Sequence, residues 1–109
     1  MFSDTDRIRV LNDELRQHLL GGGAVITTGI AALGDDAVSR LVQAIAKFDD
    51  FCDDNDPYQE HDFGAFDFEE HRVKFKIDYY AQGMQAVSSD PANPSTTGRV
   101  ITLMLAEEY

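Results

Sequence analysis

Two adjacent stretches of this sequence leave little choice of backbone conformation. In Phe63–Phe68, Phe66 and Phe68 fall on one side, and in 72–80, Val73, Phe75, Ile77 and Tyr79 do the same. Alternation with period two describes a strand with one buried face, and two such runs across a short turn read as an antiparallel hairpin. Pairing residues whose numbers sum to 141 sets Phe68 opposite Val73 and Phe66 opposite Phe75. On the other face Glu69 then meets Arg72 and Asp67 meets Lys74, ion pairs of about a few tenths of a kcal/mol each. A slip of one residue would set aromatic rings against charges.

The rest of the chain supplies what such a hairpin needs to cover its apolar side. Over 4–20, Ile8, Leu11, Leu15 and Leu19 recur at helical spacing, Ser3 or Asp4 can cap the start, Ser3 with Asp6 resembles a capping box, and Gly21-Gly22-Gly23 ends the run. The glycines are not a phosphate loop, because no Lys-Ser/Thr follows and the order is helix to strand. Residues 24–28 are short, apolar and β-branched, as in a strand. A turn with some helical character spans 29–34. A second helix begins near Asp35, carries Val38, Leu41, Val42, Ile45 and Phe48 on one face, and is expected to end around Phe51 or Cys52. Residues 82–98 read as a long loop. The last strand, 99–106, is apolar on both faces and therefore expected to be central. The order α-β-α-β-β-β predicts one α+β domain over 1–109, with two helices packed on one face of a mostly antiparallel four-stranded sheet.

Charge narrows the partners. Twenty Asp and Glu against nine Lys and Arg leave a net charge of −11. Such a field repels nucleic acid and anionic membrane and favours cations or basic protein surfaces. The single cysteine, Cys52, forms no internal disulfide and suits a reducing compartment. The first residues lack the pattern of a signal peptide, and no apolar run approaches the roughly 18 residues of a membrane span. A soluble cytoplasmic protein is expected, with a homodimer open as an assembly.

Half of the acid is concentrated in 49–70, which holds ten carboxylates and no Lys or Arg. Asp49, Asp50, Asp53 and Asp54 cluster at or just past a helix C-terminus, where the dipole opposes each negative charge by roughly 0.3–1 kcal/mol. Placement against stability points to function. Three readings compete: a solvating loop, a docking surface for a basic partner, and a cation site. A calcium loop fails on spacing, since from Asp54 the fifth position is Tyr58 and no glycine follows. Asp54, Asp56, Glu60, His61 and Asp62 match no zinc framework, although a looser divalent-metal module or metal-dependent enzyme is the alternative they leave open.

Catalytic groups are scarce. Cys52 lies among four aspartates that disfavour a thiolate. His18 and His71 belong to a helix end and a hairpin turn, and His61 alone has a context suited to a role, structural or chemical. Arg72, Lys74, Lys76 and Tyr80 outline a basic–aromatic strand face, but Asp67 and Glu69 are available to neutralise it.

The runs Asp54-Asn55-Asp56-Pro57 and Glu60-His61-Asp62-Phe63-Gly64 stand out, followed by Lys76-Ile77-Asp78-Tyr79-Tyr80, Asp90-Pro91, Asn93-Pro94, Arg99-Val100, Met104-Leu105-Ala106 and Glu108-Tyr109. In these the chain resembles domain-of-unknown-function family 3768, small uncharacterised bacterial proteins often carried on mobile elements. Asn93 stands where family members usually have an acidic or polar residue. The resemblance brings no activity and no catalytic residue. It implies a mobile-element setting, in which small acidic proteins include inhibitors of host defence systems of the anti-CRISPR or anti-restriction type. The expectation is a non-enzymatic binding protein without a cofactor. Asp53, Asp54, Asp56, Tyr58, Glu60, His61 and Asp62 would meet a basic surface on a nucleic-acid-binding partner.

Overall fold

The computed structural model describes residues 3–81, 87–88 and 90–109. Helix α1, Asp4–His18, opens on the expected capping box: the Ser3 hydroxyl accepts from the Asp6 N–H and the Asp6 carboxylate accepts from the Ser3 N–H. It closes on Leu19, whose own N–H bonds to the Leu15 carbonyl (2.9 Å) and whose left-handed backbone (φ 55°) turns the Leu20 N–H back to the Glu14 carbonyl (3.4 Å). Strand β1, Gly23–Ile26, leads into a one-turn helix α2, Thr28–Ala31, and then helix α3, Asp35–Lys47. Strands β2, Phe63–Phe68, β3, His71–Ala81, and β4, Thr97–Leu105, complete the sheet, and a 3-10 turn, Ala106–Glu108, follows.

The sheet runs β1-β4-β3-β2, with β4 inside it as its two apolar faces predict. Several expectations need correction. The sheet is mixed: β1 lies parallel to β4, and only the β2–β3 and β3–β4 pairs are antiparallel. The element order also gains α2, because Thr27 caps a turn that seats Ile30 in the core with no exposed surface. Helix α3 stops at Lys47, a turn earlier than expected. Of the expected 82–98 loop, 82–86 and 89 lie outside the described residues.

The hairpin keeps its predicted faces but not its register. Phe66 faces Val73, Phe68 faces His71 and Gly64 faces Phe75, a shift of two residues. Glu69 and Glu70 form the turn, both with positive φ (46° and 71°), the conformation that matches the twist of the flanking strands. Packing explains the choice. Phe75 is fully buried against Phe48 (centroids 5.5 Å apart, edge-on) and occupies the space over Gly64. A Cβ at Gly64 would stand 2.7 Å from the Phe48 ring, so a larger residue opposite Phe75 is excluded. Neither expected ion pair forms: Asp67 pairs with Arg72 (3.2 Å), and Glu69 binds Arg40 of α3 through two hydrogen bonds (2.6 and 3.1 Å).

One cluster of buried side chains forms the core, with Leu15, Ile30, Leu41 and Ile45 from the helices against Val73, Phe75, Ile77, Ile101 and Leu103. These strand residues share one parity, so the helices lie on one face of the sheet. The opposite face carries Lys74, Lys76, Tyr80 and Thr102 and is partly covered by the C-terminal turn.

Candidate functional site

The connection from α3 to β2 holds seven of the ten carboxylates of the acidic segment, and its backbone is fixed from within. Asn55 accepts from the Cys52 N–H (2.9 Å) and donates to the Asp50 carbonyl (2.9 Å). Asp56, 4% exposed, turns inward, and its Oδ1 accepts from the N–H groups of Glu60 and His61, each at 3.0 Å. Gln59 and His61 have positive φ (58° and 56°), which returns the chain toward α1. Arg9 of α1 donates to the Gln59 carbonyl (3.0 Å) and pairs with Asp6.

Beneath this loop lies a buried polar network. Asn12, with no exposed surface, donates to the Glu60 carbonyl (2.9 Å) and the Tyr79 hydroxyl (2.7 Å) and accepts from Arg99 Nε (3.0 Å). Tyr79 donates to the Glu60 carboxylate (2.8 Å). Arg99 also donates to the Pro91 carbonyl and lies over the Tyr79 ring, 5.2 Å from its centroid. Burial pushes the Tyr79 phenol far above its usual range, although the Asn12 bond opposes the shift, so the hydroxyl stays a donor. Burial lowers the Arg99 pKa, against the opposing influence of Tyr79 and Glu60.

A second arm runs through Arg16. Its Nη1 donates to the carbonyls of Ile45, Ala46 and Phe48 at the end of α3, where Ile45 also accepts from the Phe48 N–H (3.2 Å), while Nη2 binds Asp13 (2.9 Å). Arg16 Nε is the one buried side-chain polar atom without a partner among the described residues. Asp13 also meets His61 Nδ1 (2.9 Å), and the His61 ring stacks on Phe51 (3.9 Å, 5°). Next to it, burial raises the Asp62 carboxyl pKa, and the negative charges of Glu60, Asp56 and Asp78 add to the effect.

The seven residues expected to form one docking surface therefore divide. Asp53, Asp54 and Tyr58 are exposed, Tyr58 at 73%. Asp56 is buried, and Glu60, His61 and Asp62 are half-buried, with Asp56, Glu60 and His61 bonded to the loop, α1 or β3. Between the two groups opens a cleft of about 440 Å³ lined by Arg9, Phe51, Cys52, Asp53, Asp56, Gln59 and His61. Asp49 and Asp50 are exposed as well, and none of Asp49, Asp50, Asp53 or Asp54 enters an ion pair among the described residues. No three His, Cys, Asp or Glu side chains converge as metal ligands among the described residues.

Sequence reasoning missed Asn12, Arg16, Tyr79 and Arg99. A signal was present: Asn12 and Arg16 interrupt the apolar face of α1 at i+4 and i+8 from Ile8, and Arg99 shares the parity of Ile101 and Leu103. On the open sheet face, Lys76 pairs with Asp78 (3.0 Å) and Arg72 with Asp67, while Lys74 lies over the Tyr109 ring at 4.5 Å. Two of the three cations expected there are thus neutralised.

Fold and site together define a two-layer α+β protein whose acidic connection is held rigid by polar side chains. The chain belongs to the family described as Protein of unknown function (DUF3768), whose model matches residues 26–108. No curated protein and no solved structure matches it. The residues that carry the resemblance have mainly structural partners: Asn55 and Asp56 fix the loop, Glu60, Tyr79 and Arg99 belong to the network, and Gly64 makes room for Phe75. No helix among the described residues is long and apolar enough to cross a membrane.

Proposed function

We propose that this protein is a non-enzymatic binding module that meets a basic protein surface with the outer side of the 49–59 loop. The observation that carries the reading is the division of that loop. Asp49, Asp50, Asp53 and Asp54 are exposed without ion-pair partners among the described residues, and the Tyr58 ring on the same loop is 73% exposed, while Asn55, Asp56 and His61 hold the backbone from within. Fixed geometry lowers the ordering cost of binding, the carboxylates speed encounter, and the tyrosine supplies contact area. Glu60 and His61 serve this surface indirectly, by positioning it. The target class is a nucleic-acid-binding protein, extending to a bacterial defence component in the setting that the family resemblance implies.

The test compares the natural chain with Asp53→Asn/Asp54→Asn/Tyr58→Ala in capture from bacterial lysate, at about 50 mM and about 500 mM salt, where the screening length falls severalfold. The expected result is a basic partner held by the natural chain alone, released by salt and competed by duplex DNA. Equal retention by the triple variant would overturn the reading.

A further inference from the structure

Within a chain of net charge −11, residues 19–34 form a run of sixteen without Asp, Glu, Lys, Arg or His. That run contains β1, an edge strand whose four residues are all exposed. Natural proteins guard sheet edges with very short strands, charges, proline, bulges or covering segments, and shortness is the one such device that β1, four residues long, has in its sequence. Gly23-Ala24-Val25-Ile26 has no charge or proline, whereas the opposite edge, β2, carries Asp67 and ends at Glu69-Glu70. Of the eight large apolar residues exposed among the described residues, four sit at this edge: Leu19, Leu20, Val25 and Ile26. A largely apolar cleft of about 250 Å³ opens beside it between Leu19, Ala24, Ile26, Val42, Ile45 and Leu103, with Arg16 the one charged residue of its lining.

We infer that β1 pairs antiparallel with β1 of a second copy, joining two four-stranded sheets into one. The backbone fixes the register. The Thr27 N–H bonds to Leu103 of β4 (3.1 Å), so by alternation the N–H and C=O of Val25 also face β4 and those of Ala24 and Ile26 face outward. A two-fold axis at Val25 sets Ala24 of one copy against Ile26 of the other, exchanging both hydrogen bonds, twice over. The two Val25 side chains then meet as a non-hydrogen-bonded pair, about 4.5 Å apart at Cα. Leu19 and Ile26 gain cover from the second copy on the helix side. A second copy suits this edge because the strand is self-complementary about Val25 and places no charge across the two-fold axis; the net charge of −11 on each copy opposes the approach, so self-association strengthens with salt. The basic-partner reading has the opposite salt dependence, so the two stand or fall separately.

Sedimentation in reductant, which silences Cys52, at chain concentrations up to about 200 µM tests the pairing. The expected result is a dimer that gains weight from low to high salt. Val25→Lys, which opposes two lysines at the axis, and Ala24→Pro, which removes an outward N–H without touching the β4 ladder, each weaken it by about tenfold or more. In a Cys52→Ser background, Val25→Cys oxidises rapidly to a covalent dimer. Ala24→Cys, whose symmetry mates lie beyond the roughly 7 Å reach of a disulfide, does not. A chain that stays monomeric at high salt overturns the inference, as does a dimer indifferent to Val25→Lys or cross-linking equally at both positions.

Discussion

Replacing Asn12 by alanine removes three hydrogen bonds from a side chain with no exposed surface. The Tyr79 hydroxyl keeps its bond to the Glu60 carboxylate, but the Arg99 Nε–H and the Glu60 carbonyl lose their Asn12 partners. A stranded buried donor or acceptor costs about 1–3 kcal/mol, more when the group is charged. With partial recovery by a water in the vacated space, the expected loss is about 3 kcal/mol, a large share of the roughly 5–15 kcal/mol that stabilises a domain. In heat that corresponds to a fall in Tm of about 12 °C or more. Tyr79→Phe leaves both Asn12 bonds to Glu60 and Arg99 in place and costs about 1 kcal/mol. Because Asn12 and Tyr79 share a 2.7 Å bond, the double variant falls short of the sum by about 0.5 kcal/mol or more. Urea unfolding followed by circular dichroism, at unchanged m, reads all four corners of the cycle. A loss below about 1 kcal/mol for Asn12→Ala, or strict additivity, would refute the claim that this network holds the loop to the fold.

Two further changes probe positions where local and global demands conflict. Glu70→Gly relieves a left-handed backbone whose strain is about 1–2 kcal/mol, at an entropic cost of about 0.5–1 kcal/mol, so a gain of about 0.5 kcal/mol is expected in the same urea assay. A loss would show that the Glu70 side chain has a stabilising role. Asp62→Asn tests the raised carboxyl. The folded state holds that proton more tightly than the unfolded chain, so stability is lost as pH rises from the ordinary carboxylate range through the folded pKa. The asparagine variant should therefore melt higher than the natural protein at pH 7, with the advantage vanishing as pH drops below the ordinary carboxylate range. A difference independent of pH would contradict the assignment.

The candidate site was only partly legible before folding. The concentration of acid in 49–70 is a property of the sequence, and Asp53, Asp54 and Tyr58 are exposed as a solvent-facing reading of it requires. Nothing in the local sequence separates them from Asp56, Glu60 and His61. An irregular connection has no periodicity to reveal which way a side chain turns. The direction follows from where α1 and β3 offer partners: Asp13 for the His61 ring and Tyr79 for the Glu60 carboxylate.

Local chemistry was enough to fix the capped start of α1, the faces of the hairpin and the interior place of β4, because each depends on spacing within a few residues. The hairpin register was beyond that reach: a shift of two preserves every face, and the choice fell to Phe75, which needs Gly64 opposite it to pack on Phe48. The parallel direction of β1 was equally hidden. It depends on a path that crosses two helices and a hairpin before β4 returns beside it, and no contact within β1 itself records where that path ends.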